Sequence, residues 1–61
     1  MPIVQIDLLA GRSPEQLRGL VQDVTEAVAK NTGASAQSVH VILREMQPEH
    51  YAVGGQLKAD A

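Results

Sequence analysis

The 61-residue chain contains no cysteine, no tryptophan and no phenylalanine, and its single aromatic side chain is Tyr51. Without cysteine there is neither a disulfide framework nor thiol chemistry. His40 and His50 are the only imidazoles, too few for a built-in metal site, because stable zinc sites want four ligands at recognisable spacings. No metal and no cofactor are expected. Five Lys and Arg against seven Asp and Glu give a formal charge of -2, with no basic cluster, which argues against a nucleic-acid partner. The apolar N-terminal run is broken by Gln5 and Asp7 and follows no basic segment, and no stretch approaches the length of a membrane span. A soluble, cytoplasmic protein with no membrane partner is expected.

Shortness is the remaining constraint. Residues 1–61 make a single domain, and a chain of this size buries only about 60% of the surface its unfolded form exposes. Small domains offset that with disulfides, metal or partner chains, and only the last is available here.

What is present reads in a clear order. Pro2-Ile3-Val4-Gln5-Ile6-Asp7-Leu8-Leu9 is expected to be a strand, with Val4, Ile6 and Leu8 on one face and Ile3, Gln5, Asp7 and Leu9 on the other. After the Ala10-Gly11-Arg12 turn, Ser13-Pro14-Glu15-Gln16 supplies an N-cap, a proline in the first turn, an early acid and the Gln of a capping box. Leu17, Leu20, Val21, Val24, Ala27 and Val28 then form an apolar helical stripe, which Gly33 is placed to terminate. Val39 to Met46 reads as a second strand, so the two strands are expected to be parallel and joined by a right-handed crossover. Pro48 ends it. His50 to Val53 and Gln56-Leu57 flank Gly54-Gly55 as a small hairpin, and Lys58 to Ala61 are expected to fray.

One helix covers one sheet face. Ile3, Leu9, Ile42 and Met46 are left on the other, opposite Val39, Val41 and Leu43. Burying each such side chain contributes about 1.5–3 kcal/mol, comparable in sum with the whole stability of a small domain. A homo-oligomer is expected on this ground alone.

Pro2 stands directly behind Met1. If Met1 is removed, the chain begins with a secondary amine on a rigid strand, a group able to act as a general base; if Met1 stays, the same nitrogen is a tertiary amide with no useful basicity. An apolar surrounding and a nearby cation would lower the amine toward neutrality, and Arg12 is the candidate cation. A strand rises about 3.3 Å per residue, which sets Arg12 roughly 25–30 Å from its own Pro2. Acting together, the two must come from different chains. Read on their own, Pro2 more often marks a strand start and Arg12 a solvated turn. His40 either donates a hydrogen bond to a bound oxygen or is a satisfied structural group. Tyr51 either packs the hairpin or walls a pocket.

Met1-Pro2-Ile3-Val4-Gln5-Ile6, Leu9-Ala10-Gly11-Arg12-Ser13, the Val39-to-Met46 strand ending in Glu45-Met46, and His50-Tyr51-Ala52-Val53-Gly54-Gly55 together resemble the 4-oxalocrotonate tautomerase family over essentially the whole chain. The resemblance implies an α+β fold, a βαβ tautomerase subunit with parallel strands, one long helix and a short C-terminal β-hairpin. It also implies a homohexamer, a trimer of dimers, with active sites shared between chains. The implied activity is a cofactor-independent isomerase for small anionic enol or keto acids such as 2-hydroxymuconate. In that pattern Pro2 is the general base and Arg12 holds the remote carboxylate. Leu9 offers its backbone amide to the 2-oxygen, and Tyr51 stands where the family commonly has a phenylalanine wall.

The sequence departs from the family where His40 matches its second arginine. Histidine is shorter and lacks the bidentate fork, so weaker turnover of dicarboxylates and relatively better use of monocarboxylate enols such as phenylenolpyruvate are expected. Leu9 and Val53 stand where the related haloacrylate dehalogenases would need a carboxylate and an arginine, which argues against dehalogenation. The alternative from another class is a non-enzymatic oligomeric binding protein that keeps the fold.

Overall fold

The computed structural model describes residues 1–61, and its elements follow the expected order. Strand β1 is Ile3–Leu9, helix α1 is Pro14–Thr32, strand β2 is His40–Met46, and the hairpin strands β3 and β4 are Ala52–Val53 and Gln56–Leu57. β1 and β2 pair in parallel with Ile3 opposite His40, Gln5 opposite Ile42, Asp7 opposite Arg44 and Leu9 opposite Met46. The fold is therefore α+β, a βαβ unit followed by an antiparallel strand pair.

Helix α1 starts where local chemistry dictates. The Ser13 hydroxyl accepts from the Gln16 N–H at 3.2 Å, and the Gln16 side chain accepts from the Ser13 N–H at 2.9 Å, a complete capping box with Pro14 in the first turn. Glu15 in the first turn and Lys30 in the last both suit the helix dipole. Gly33 ends the helix at φ 78°, a left-handed conformation that side chains with a Cβ resist, and its N–H donates to the Ala29 carbonyl at 3.0 Å. Ser13→Ala removes the cap acceptor. It is expected to destabilise the chain by about 1 kcal/mol, lowering the melting temperature by about 4–8 °C at fixed protein concentration in a circular-dichroism melt. An unchanged melting temperature would mean that the helix start is held by other contacts.

The core lies between the helix and one sheet face. Val4, Ile6 and Leu8 on β1 and Val41 and Leu43 on β2 are half-buried, as are Leu17, Leu20, Val21, Val24, Thr25, Val28 and Ala29 on α1. The expected stripe is corrected at one position. Ala27 is exposed, and Thr25 and Ala29 take up the inner face instead. Val39 is not in the strand; it closes a 3-10 turn over Ala36–Ser38, donating its N–H to the Ala36 carbonyl.

The hairpin is shorter than expected. His50 belongs to a 3-10 turn over Pro48–His50, where proline sets the backbone and the His50 N–H donates to the Gln47 carbonyl at 2.8 Å. Gly54 and Gly55, at φ 61° and 84°, make the tight turn between β3 and β4. Lys58 to Ala61, expected to fray, carry a local turn. Lys58–Asp60 form a 3-10 turn, tied back by the Lys58 N–H to the Tyr51 carbonyl at 2.8 Å and by Gln56 Nε2 to the Asp60 carbonyl at 3.4 Å.

No residue of the isolated chain is fully buried. The chain exposes 4546 Å², where a compact protein of this mass exposes about 3,800 Å². Its radius of gyration is 14.5 Å and its extents are 43 × 24 × 13 Å, against a radius of about 10.5 Å for a compact domain of this length. The shape is a flat slab. The sheet face away from the helix carries Ile3 at 59% and Ile42 at 44% exposure, and the hairpin exposes Val53 at 67%.

Candidate active site

The residues singled out in the sequence fall into two groups at opposite ends of β1. At its start, the His40 N–H donates to the Pro2 carbonyl at 2.9 Å, which places His40 directly beside Pro2 across the sheet. His40 is exposed and Pro2 half-buried. Ile3, the register partner of His40, adds an apolar neighbour on the same face.

At the other end, Asp7, Leu8, Leu9, Arg12, Met46 and Tyr51 line an open groove of about 460 Å³. Arg12 Nη1 donates to the Leu9 carbonyl at 3.1 Å. The anchor orients the guanidinium while its other N–H groups remain available for a planar anion. The ladder explains why Leu9 is free to serve. Alternate residues of a strand turn their backbone to the same neighbour, and the Ala10 N–H donates to the Met46 carbonyl at 2.9 Å. The Leu9 peptide groups are thereby turned toward the open edge of β1. Tyr51 is held above the groove by the turn after β2, and it also lines a second cavity of about 230 Å³ with Val53, Gln56, Leu57, Lys58 and Ala61.

Pro2 does not line either groove. The seven steps from Pro2 to Leu9 span about 23 Å, so one chain presents an amine-and-imidazole end and a separate guanidinium-and-aromatic end. No three His, Asp or Glu side chains gather as they would around a metal ion. No helix is long and apolar enough to cross a membrane.

The structure also contains a polar cluster that sequence reasoning had not singled out. Arg44 Nε donates to Asp7 Oδ1 at 2.8 Å on the sheet face away from the helix. That hydrogen bond, together with the guanidinium charge, lowers the Asp7 carboxyl from its ordinary value, and the same hydrogen bond together with the Asp7 carboxylate charge raises Arg44. The parallel register was the available signal, because any pairing that sets Ile3 opposite His40 also sets Asp7 opposite Arg44.

A parallel two-stranded sheet under one capped helix, closed by a short hairpin and carrying an N-terminal proline and a loop arginine, is the architecture of a small tautomerase subunit. The family model for tautomerase enzymes matches residues 2–61, and the chain belongs to that family. A probable tautomerase of Lactiplantibacillus plantarum is 68% identical over 60 residues, covering 98% of this chain and 94% of the relative. Among solved structures, YwhB, a homologue of 4-oxalocrotonate tautomerase, superposes with a TM-score of 0.93 at 47% identity, covering 98% of each chain. A 4-oxalocrotonate tautomerase from Chloroflexus aurantiacus, described as a heterohexamer, superposes at 0.92 with 33% identity, covering 98% of this chain and 97% of that one. The family resemblance drawn from the motifs is thus borne out, as is the fold.

Proposed function

We propose that this chain is a cofactor-independent isomerase of the 4-oxalocrotonate tautomerase type. It converts small anionic 2-hydroxy-dienoates such as 2-hydroxymuconate, or enolpyruvate-type acids, into the corresponding ketones. The Pro2 amine, freed by removal of Met1, takes the proton from the 2-hydroxyl. The oxygen's electron pair forms the carbonyl, the double bonds shift along the chain, and the proton returns to a remote carbon. Nothing is added or lost, so no redox partner or metal enters the balance.

The observation that carries this reading is the Arg12 guanidinium, anchored on the Leu9 carbonyl beside an apolar groove. Arg12 binds the remote carboxylate and draws electron density toward it, and the Leu9 amide, turned toward the edge, binds the 2-oxygen. Tyr51 excludes water from the bound anion. Because Pro2 and Arg12 of one chain lie at opposite ends of β1, each site takes them from different copies in a homo-oligomer, which we read as a hexamer built as a trimer of dimers. The flat shape and the uncovered apolar face support assembly. The composition and the absence of a membrane-length apolar run support a cytoplasmic location. The reading is tested by intact-mass analysis of the purified protein together with an ultraviolet ketonisation assay. A chain lighter by one methionine that turns over the enol supports it, whereas a processed chain with no activity supports a binding protein that keeps the fold.

His40 sets the preference among anions. It sits beside Pro2, where a second arginine would clamp the carboxylate at the reacting end, and an imidazole offers one donor in place of a fork. His40→Arg is therefore expected to raise kcat/KM for 2-hydroxymuconate by about tenfold, the value of one added charge-assisted hydrogen bond, and to change phenylenolpyruvate turnover less. Equal or higher dicarboxylate efficiency in the unaltered chain than in the variant would refute it.

A further inference from the structure

The sheet face away from the helix has a polar centre and apolar side chains toward both ends, with the exposed His40 imidazole beside Ile3. Ile3 and Ile42 lie toward one end, Leu9 and Met46 at the other, and between them Asp7 and Arg44 are register partners joined by the 2.8 Å ion pair. Gln5 shares the face. In the amide orientation that matches donor to acceptor, its oxygen accepts from Arg44 Nη2 at 2.8 Å. Arg44 and Asp7 still remain 62% and 49% exposed, and apart from Gln5 they have no further hydrogen-bond partner within the chain.

An ion pair at an open surface stabilises its own chain little. Its layout is more informative than its strength. A cation and an anion side by side, bordered by the exposed Ile3 and Ile42 and the half-buried Leu9 and Met46, form a self-complementary patch. Turning a second copy about a two-fold axis sets its Arg44 toward the first chain's Asp7 and its Asp7 toward the first chain's Arg44, so each contact is made twice. A foreign surface would need the same spacing of opposite charges, whereas a second copy has it by construction.

We propose that the Gln5–Asp7–Arg44 cluster is the self-recognition element of the assembly. The uncovered faces of neighbouring copies meet over it, and its charges pair between chains as well as within each one. The inference rests on the homo-oligomer reading given above and adds which residues select the partner. Within the family, the Chloroflexus protein is a heterohexamer, so choosing like from unlike chains is a real discrimination. A chain carrying both signs on this face is matched by a copy of itself, and a chain carrying one sign requires a partner of the other.

The test compares full-length Asp7→Arg, with two cations on the face, and Arg44→Asp, with two anions, by native mass spectrometry and sedimentation velocity. Each variant alone is expected to shift toward smaller species, its apparent dissociation constant rising about tenfold or more from like-charge juxtaposition. Co-expressing the two is expected to restore a mixed oligomer containing both chains in equal amounts. The double exchange Asp7→Arg with Arg44→Asp in one chain is expected to assemble as the unaltered protein does, which shows that the altered face still folds. If the pair acts only within each chain, co-expression rescues nothing, because every chain keeps its own like-charged pair; that result overturns the proposal. Normal assembly of both single variants overturns it as well. A monomeric unaltered protein would instead refute the homo-oligomer reading beneath it.

Discussion

Replacing Pro2 by alanine is expected to lower kcat for enol ketonisation by about 10²–10⁴-fold, the range a positioned general base supplies. That range corresponds to about 3–5 kcal/mol of barrier. The strand pairing should survive the change, because the contact that Pro2 makes to β2 is through its carbonyl, which accepts from the His40 N–H at 2.9 Å, and alanine has the same carbonyl. Far-UV circular dichroism and oligomeric state are therefore expected to match the unaltered protein. What changes is the amine. Proline presents a rigid secondary amine at the head of β1, whereas alanine presents a primary amine of lower intrinsic basicity and greater freedom, so proton transfer loses both driving force and alignment. The loss should fall on kcat more than on KM, since the base acts in the transition state and contributes little to ground-state binding. Chains that retain Met1 provide a second arm: their Pro2 nitrogen is an amide and should support no turnover. Full activity in Pro2→Ala would reject the amine mechanism.

The parts of this molecule that were legible in its sequence are those settled by neighbours along the chain. Ser13, Pro14 and Gln16 declare the helix start because a capping box closes within four residues, and Gly33 declares its end because a left-handed backbone suits glycine. The parallel pairing followed from strand, helix and strand lengths. What was not legible depended on the third dimension. Spacing alone puts Ala27 on the inner face, yet Ala27 is exposed while Thr25 and Ala29 are half-buried. Lys58 to Ala61 looked free because nothing in their own sequence holds them, and the hydrogen bond that does runs back to the Tyr51 carbonyl. The Asp7–Arg44 pair spans 37 positions and becomes visible only through the strand register. The candidate site shows the same division. The contact of Arg12 with the Leu9 carbonyl emerges only from the fold, while Pro2 and Arg12, expected apart, lie at opposite ends of β1.

That separation supports the second large expected effect. Arg12→Ala should reduce kcat/KM for a dicarboxylate enol by about 10–150-fold, the value of a charge-assisted carboxylate contact of about 1.5–3 kcal/mol. A monocarboxylate lacking the remote carboxyl should lose less. KM should rise because binding is lost, and kcat should fall as well if the guanidinium gains strength of interaction as charge moves toward the remote carboxylate in the transition state. Removing Arg12 also frees the Leu9 carbonyl, but that acceptor lies at the open edge and can turn to water, so folding should be little affected. The decisive measurement combines this variant with Pro2→Ala. Each chain has one intact half, an amine end in Arg12→Ala and a guanidinium end in Pro2→Ala. If each site takes Pro2 and Arg12 from different copies, random mixing in a symmetric assembly gives about one site in four with both groups intact. Unfolding the two weakened variants together and refolding them should then recover about a quarter of the unaltered activity, well above either variant alone. A site contained within one chain recovers nothing on mixing, because every chain still lacks one of its two groups.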